Sequence, residues 1–217
     1  MLILLPPSEG KAHPEKGEPV DLDSLVFAEE LGAKREGLID AFDPTLRKVP
    51  AAPASEVYTG VLFGRLELAE LPVKARRRVL IASGLWGVVR PDDRIPYYKF
   101  PPKTRLKGFE APNAYWRPAL AAALPDEEAD LVVDMRSGAY VPAWKPKRAT
   151  LLAVRAFTEV GGERKAVSHM AKAVRGDVAR TLLMAKRAPK APESAVAIVE
   201  AAGFTVELSG GNLDVIV

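Results

Sequence analysis

The stretch VLIASGLWGVVRPDDRIPYYKF, residues 79–100, joins a short apolar run directly to a loop rich in glycine, proline and aromatic residues. The segment Arg78–Ala82 predicts a buried strand. Gly84 and Gly87 allow the chain to turn after it. The apolar side chains that follow are expected in the core: Leu85, Val88 and Val89. Either the polar residues of this stretch contact a ligand or the whole loop only packs.

Composition is that of an ordinary globular protein. The 217 residues are 48% hydrophobic and 27% charged and include no cysteine, which excludes disulfides, thiolate metal sites and a cysteine nucleophile. Met1–Leu5 lacks the basic lead-in and cleavage site of a signal peptide and predicts a strand. No segment has the roughly 18 to 20 apolar residues that cross a bilayer. We expect a soluble, cytoplasmic protein with no membrane partner, and its oligomeric state stays open.

Strand and helix patterns alternate along the chain. Further strands are predicted at Leu131–Met135, Thr150–Val154, Thr158–Val160, Thr205–Leu208 and Leu213–Val217. Helices are predicted at Ser24–Phe42, Ser55–Leu71 with a break at its glycines, Asn113–Ala123 and Glu193–Ala202. The alternation predicts an α/β (or α+β) fold with a mixed sheet and flanking helices, in one domain over residues 1–217.

A pair of helices is predicted between residues 165 and 186. Lys165–Val174 and Asp177–Lys186 have helical composition, Gly176 is a plausible C-terminal cap, and Asp177 is a plausible N-cap. Helix-hairpin-helix elements offer main-chain N–H groups to duplex phosphates. An ordinary packed helical hairpin is the alternative interpretation.

Charge is segregated along the chain. Residues 72–117 carry a net charge of +8 and residues 140–190 a net charge of +9, although the whole chain carries only +3. If the two basic blocks fold together, they form a positive face whose natural partner is a polyanion. Alternatively, they face different ways and are simply solvated.

One motif and the two histidines are considered as sites of chemistry. Ser8 and Lys11 have the S-x-x-K spacing of some serine hydrolases, but they follow a strand and lack partner motifs, whereas a strand-end loop of this type can bind phosphate. His13 and His169 are the two histidines, and their spacing resembles no zinc motif, so we predict neither a metal site nor a cofactor.

Taken together, five motifs resemble the YaaA family of bacterial peroxide-stress proteins, in its shorter actinobacterial branch. They are Leu-Pro-Pro-Ser-Glu-Gly-Lys at 5–11, Val-Tyr-Thr-Gly at 57–60, Ser-Gly-Leu-Trp-Gly-Val-Val-Arg-Pro at 83–91, Asp-Met-Arg-Ser-Gly-Ala-Tyr at 134–140 and Lys-Ala-Val-Arg-Gly at 172–176. The resemblance implies a cytosolic protein that limits unincorporated iron during peroxide stress. It also implies DNA binding, a helix-hairpin-helix element and a positive cleft, with no securely attached catalytic activity.

The nucleic-acid hypothesis assigns roles to particular residues. Phosphate contacts are predicted for Lys11, Arg90, Arg94, Lys99, Arg136, Lys145, Lys172 and Arg175. Base stacking is predicted for Trp86 and Tyr97. Pocket residues are predicted at Ser8, Tyr58, Asp92, Ser137, Tyr140 and Ser168. The alternative to ligand contact is that Trp86 packs under its loop and that Arg90 and Arg94 pair with Asp92 and Asp93.

Two rival functions remain open. The first is an enzyme acting on a nucleotide or nucleic acid, with Ser8, Lys11, Arg136, Ser137 and Tyr140 converging at strand ends. The second is an iron-buffering protein, which the scarcity of histidine and cysteine disfavours.

Overall fold

A computed structural model describes residues 1–124, 129–160, 163–166 and 170–217. Ten strands are described: β1 (Leu2–Leu5), β2 (Ala51–Pro53), β3 (Val79–Ser83), β4 (Gly87–Val89), β5 (Arg94–Pro96), β6 (Leu131–Asp134), β7 (Thr150–Val160), β8 (Glu163–Ala166), β9 (Thr205–Ser209) and β10 (Asn212–Ile216). The α-helices are α1 (Ala28–Phe42), α2 (Ala54–Val57), α3 (Val61–Leu66), α4 (Val73–Arg76), α5 (Pro112–Ala123), α6 (Met170–Met184) and α7 (Pro192–Ala201). The predicted α/β class with a mixed sheet is therefore confirmed.

Eight strands form one mostly parallel sheet in the order β4-β3-β1-β6-β7-β10-β9, with β8 paired to β7. Strands β1, β3, β6, β7 and β10 are parallel, whereas β4, β8 and β9 are antiparallel to their neighbours. β2 and β5 form a separate antiparallel pair. Strand β1 lies between β3 on one side and β6 on the other, so the chain changes direction across the sheet at β1. Ligands of open α/β sheets bind at such a switch point, outside the carboxyl ends of the strands.

The central strands are buried on both faces, as their continuous apolar sequences require. Every residue of β1, β3 and β6 is buried. Helices α1 and α5 contact each other, and α6 packs on β7 and α3. Among the residues described, no helix combines the length and the apolar character that crossing a membrane requires.

The predicted helical hairpin around Gly176 is wrong. Lys165 lies in strand β8, and α6 runs without interruption from Met170 to Met184 through Gly176. A Cβ atom at Gly176 would lie 2.5 Å from the carbonyl oxygen of Leu62 and 2.7 Å from Cβ of Arg65. The glycine is thus explained by the close approach of α3 to α6, and a helix-hairpin-helix element is not confirmed.

Candidate functional site

Three loops leave the carboxyl ends of β1, β3 and β6 side by side. The loop after β1 contains Ser8 and Lys11, the loop after β3 begins at Ser83, and the loop after β6 contains Arg136 and Tyr140. Because these three strands are parallel neighbours, their loops meet at one edge of the sheet, which we call the carboxyl edge. The three loops surround the switch point at β1.

Three buried hydroxyl groups form a hydrogen-bonded cluster at this edge. The Tyr98 hydroxyl lies 2.8 Å from Oγ of Ser83 and 2.7 Å from the Tyr58 hydroxyl. Ser83 Oγ also accepts the backbone N–H groups of Leu85 and Trp86, at 3.2 and 3.1 Å. Since a serine oxygen has two lone pairs, Ser83 donates its own proton to Tyr98, and Tyr98 can donate onward to Tyr58. Burial raises the pKa of both tyrosines, which therefore stay protonated at neutral pH.

Lys11 covers this cluster. Its ammonium nitrogen lies 4.6 Å from the ring centroid of Tyr98 and 5.6 Å from that of Tyr58, a cation–π arrangement. It donates to the carbonyl oxygen of Ser8 at 2.6 Å. Partial burial lowers the pKa of Lys11 to about 8, against the opposing effect of the Glu9 carboxylate. Lys11 is thus a cation that loses its proton close to physiological pH.

Ser8 anchors the loop after β1. Its buried hydroxyl accepts the backbone N–H of Gly60 at 2.8 Å. Lys11 donates to the carbonyl oxygen of Ser8 and not to its hydroxyl, so the nucleophile–base contact of an S-x-x-K hydrolase is not formed. A Cβ atom at Gly60 would lie 2.3 Å from Ser8 Oγ, which explains the glycine at this position.

Arg136 does not face a ligand, which corrects its prediction as a phosphate contact. It is buried and binds Asp134 through two hydrogen bonds of 2.9 and 2.7 Å. The same guanidinium donates to the carbonyl oxygens of Tyr140 and Trp144, at 3.3 and 2.8 Å. Arg136 therefore holds the loop after β6 in place, because its charge is paired and four of its five N–H donors bind protein acceptors.

Tyr140 stands at the mouth of an apolar pocket between α5 and the sheet. The pocket is lined by Ser83, Trp116 and Trp144, among others. Burial and the nearby Glu9 carboxylate raise the pKa of Tyr140 to about 12. Ser137 is partly buried, and its carbonyl oxygen accepts the backbone N–H of Tyr140 at 2.9 Å. Tyr140 thus presents a neutral hydroxyl at the carboxyl edge.

Trp86 is fully buried, so its ring has no face to offer a base and the prediction of stacking at this residue is wrong. Tyr97 is partly exposed and stacks on His13, with ring centroids 3.5 Å apart. The sequence predicted aromatic side chains in this loop but could not show that Trp86 is buried and Tyr97 partly exposed. Tyr98, the next residue, is buried and belongs to the hydroxyl cluster.

The structure separates Arg90 and Asp92 from the carboxyl edge. They follow β4, which runs antiparallel to β3 and so ends toward the opposite, amino edge of the sheet. Asp92 pairs with Arg76 at 2.7 Å, whereas Asp93 accepts the backbone N–H groups of Arg90 and Val26. The alternative pairing of the two arginines with the two aspartates is therefore not formed.

The remaining predicted cations differ in exposure. Lys99, Lys145 and Lys172 are exposed. Arg94 is exposed but donates to the carbonyl oxygen of Ala51. Arg175 is partly buried and donates to the carbonyl oxygen of Val154 at 3.2 Å, and burial lowers its pKa.

Two sequence-predicted features lie at the limits of what is described. Ser168 and His169 fall outside the described residues. Within the described ranges, no group of three or more His, Asp or Glu side chains is placed to hold a metal ion.

Comparison with known proteins identifies the family. A family model described as "Peroxide stress protein YaaA" matches residues 19–208. A UPF0246 protein of Streptomyces coelicolor is 39% identical, over 100% of this chain and 98% of its own length. A UPF0246 protein of Corynebacterium glutamicum is 35% identical over 95% of both chains, and an uncharacterized protein of Campylobacter jejuni is 31% identical over 81% of this chain and 82% of its own. The chain therefore belongs to the YaaA family of peroxide stress proteins.

Proposed function

We propose that this protein binds DNA, duplex or distorted, in the cytoplasm during peroxide stress, and so helps to protect the cell against iron-dependent damage. The topology supports the proposal, because four separate segments that carry a lysine lead to or from the carboxyl edge. The lysines are Lys11 after β1, Lys99 after β5, Lys145 in the loop after β6 and Lys172 near the start of α6. A surface of this kind suits a phosphate backbone, since neutralising phosphates releases counterions.

The placement of these lysines follows from anchored neighbours. Lys99 adjoins Tyr98, whose hydroxyl is bound to Ser83 at the end of β3. Lys145 adjoins Trp144, whose carbonyl oxygen accepts from Arg136. Each neighbour is held at the carboxyl edge by a hydrogen bond, so the backbone of the adjacent lysine lies there too.

The start of α6 is fixed by its own contacts. Arg175 donates to Val154 of β7, which lies one residue beyond the register partner of Asp134 at the end of β6. Leu183, near the other end of the helix, accepts from Arg78, which precedes β3. Helix α6 therefore runs from the carboxyl edge toward the amino edge, and Lys172 lies near the carboxyl edge.

The amino edge provides a matched control. It also carries exposed cations, including Arg77 before β3 and Arg187 after α6. The double variant Lys99→Gln/Lys172→Gln removes two charges from the carboxyl edge, and Arg77→Gln/Arg187→Gln removes two from the opposite edge. Both changes alter the net charge equally.

The test is fluorescence anisotropy with a labelled duplex and the same duplex carrying an unpaired segment, at several salt concentrations. Each phosphate contact contributes about −0.9 to the slope of log K against log salt on duplex. The carboxyl-edge variant should therefore lose about two such increments, whereas the amino-edge variant should match the native protein. Absence of binding to either DNA at low salt, or loss confined to the amino-edge variant, refutes the proposal.

An enzyme acting on a nucleotide or nucleic acid is the second candidate, favoured by the position of Lys11 above the buried hydroxyl cluster. Of the five residues proposed for it, Lys11 and Tyr140 both interact with Glu9, whereas Ser8 and Arg136 fix loops. Chromatographic detection of product from 5′-nucleotides or a labelled oligonucleotide, lost in Lys11→Met, would support it. Unchanged substrate, or equal turnover by the variant, would exclude it.

A further inference from the structure

The loop after β1 is held rigidly against the segment before α3. Gly60 donates its N–H to Ser8 Oγ at 2.8 Å, and Thr59 donates to the carbonyl oxygen of Gly10 at 3.1 Å. On the far side of Lys11, Ala12 donates to the carbonyl oxygen of Val57 at 2.8 Å. The loop therefore keeps its shape without a ligand, as a preorganised site should.

This loop carries donors that the protein does not use. Across the described ranges, the backbone N–H groups of Glu9, Gly10 and Lys11 have no protein acceptor. The Lys11 ammonium has three N–H groups. Among the described residues, one acceptor binds it, the carbonyl oxygen of Ser8. The Tyr140 hydroxyl likewise has no hydrogen-bond partner among the described residues, although it is partly buried. Unused backbone N–H groups and a lysine at the end of a strand are donors from which a bound anion can accept.

We propose that the loop Ser8–Lys11, together with the Tyr140 hydroxyl, binds a single phosphate group at the switch point of the sheet. The Lys11 ammonium and the free backbone N–H groups donate to its oxygens, and Tyr140 donates from the loop after β6. The inference does not depend on DNA binding, because a free phosphate or nucleotide presents the same oxygens.

The protonation states of the site agree with this role. The lowered pKa of Lys11, about 8, leaves it mostly cationic at pH 7, and the raised pKa of Tyr140, about 12, keeps its hydroxyl a donor. Tyr58 and Tyr98 beneath Lys11 are neutral at that pH. The Glu9 carboxylate is exposed and acts on both Lys11 and Tyr140, so it opposes an incoming anion. Removing its charge should therefore strengthen phosphate binding.

The experiment is calorimetric titration of the full-length protein with inorganic phosphate at pH 7 and constant ionic strength. Lys11→Met should weaken binding about tenfold or more, since hydrogen bonds to charged groups contribute about 1.5–3 kcal/mol. Tyr140→Phe should weaken it by a smaller factor. Glu9→Gln should strengthen it by about two- to fivefold, the range expected for an exposed charge. Arg77→Met, which removes an exposed cation from the amino edge, should change it less than about twofold.

The outcomes separate this inference from the proposed function. Absence of saturable one-to-one phosphate binding, or equal losses in Lys11→Met and Arg77→Met, overturns it. Thermal melts of each variant confirm that a loss of binding is not a loss of folding. Competition by duplex DNA identifies the backbone as the source of the phosphate, and competition by adenosine 5′-monophosphate alone identifies a free nucleotide. If DNA binding fails while phosphate binds as expected, only the DNA proposal is refuted.

Discussion

Replacing Gly176 by alanine tests the contact that fixes α6 against α3. The added Cβ would lie 2.5 Å from the carbonyl oxygen of Leu62 and 2.7 Å from Cβ of Arg65. Non-bonded carbon atoms are most stable about 3.5–4.0 Å apart. The Leu62 oxygen belongs to the backbone of a helix and cannot rotate away, so the two helices must separate by about 1 Å.

The magnitude follows from two opposing effects. Alanine stabilises a helix interior by about 1 kcal/mol relative to glycine. Overpacking of a well-packed contact costs about 1–3 kcal/mol. Gly32 in α1 is the matched control, because it lies in a helix of the same length and a Cβ there would meet nothing within 4 Å. Since the gain in helix propensity is common to both variants, the difference between them measures the overpacking, about 1–3 kcal/mol.

The assay is urea denaturation of the native protein, Gly176→Ala and Gly32→Ala, followed by circular dichroism. Gly32→Ala should be about 1 kcal/mol more stable than the native protein, and Gly176→Ala should be about 1–3 kcal/mol less stable than Gly32→Ala. If Gly176→Ala is as stable as Gly32→Ala, then α3 and α6 do not approach as closely as described, and the explanation for this glycine is wrong.

Three further perturbations test the site. Asp134→Asn leaves the buried Arg136 cation without its counter-charge, and urea denaturation should show a loss of about 3–5 kcal/mol; a loss below about 1 kcal/mol would contradict the ion pair. Tyr98→Phe removes the hydroxyl between Ser83 and Tyr58 and should lower the free energy of unfolding by about 1–3 kcal/mol in the same assay. An unchanged urea midpoint would contradict these two hydrogen bonds. Sulfate stays a dianion from about pH 6 to about 10, so a change in its affinity over this range reports on the protein. Calorimetry should show that sulfate binds more weakly as the pH rises from about 7 to about 9, because Lys11 loses its proton. An affinity that does not change with pH would exclude Lys11 as a sulfate contact.

The strongest sequence patterns predicted the elements that position the site. Apolar runs at 2–5, 79–82 and 131–133 lie in β1, β3 and β6, because a strand buried on both faces needs a nearly continuous apolar sequence. The three-residue strands β2, β4 and β5 were missed, since three residues are too few to show a period. Residues 165–166 have helical composition but pair with β7, where tertiary contacts override local propensity.

The errors within the site have a common physical cause. Arg136 follows a strand and carries a charge, which made it a phosphate candidate, but Asp134 two residues earlier neutralises it within the core. Trp86 has a base-stacking side chain, but it is buried with Arg35 donating to its carbonyl oxygen. The pairing of Arg136 and the burial of Trp86 both depend on contacts made in the folded chain. A single sequence gives the type of each residue but not whether its side chain is buried. Ser83 was not predicted as a site residue, although its position at the end of a buried strand was a usable signal.

Lys11 differs from two buried arginines of this fold in its hydrogen-bond partners. Arg35 donates to three backbone carbonyl groups, and Arg136 is paired with a carboxylate. Burial lowers the pKa of Lys11, as it lowers that of Arg35, because removing a charge from water is unfavourable. An apolar side chain over the rings of Tyr58 and Tyr98 would avoid the cost of burying a charge. The ammonium instead lies at the switch point beside free backbone N–H groups, where an anion can provide the partner that the protein lacks.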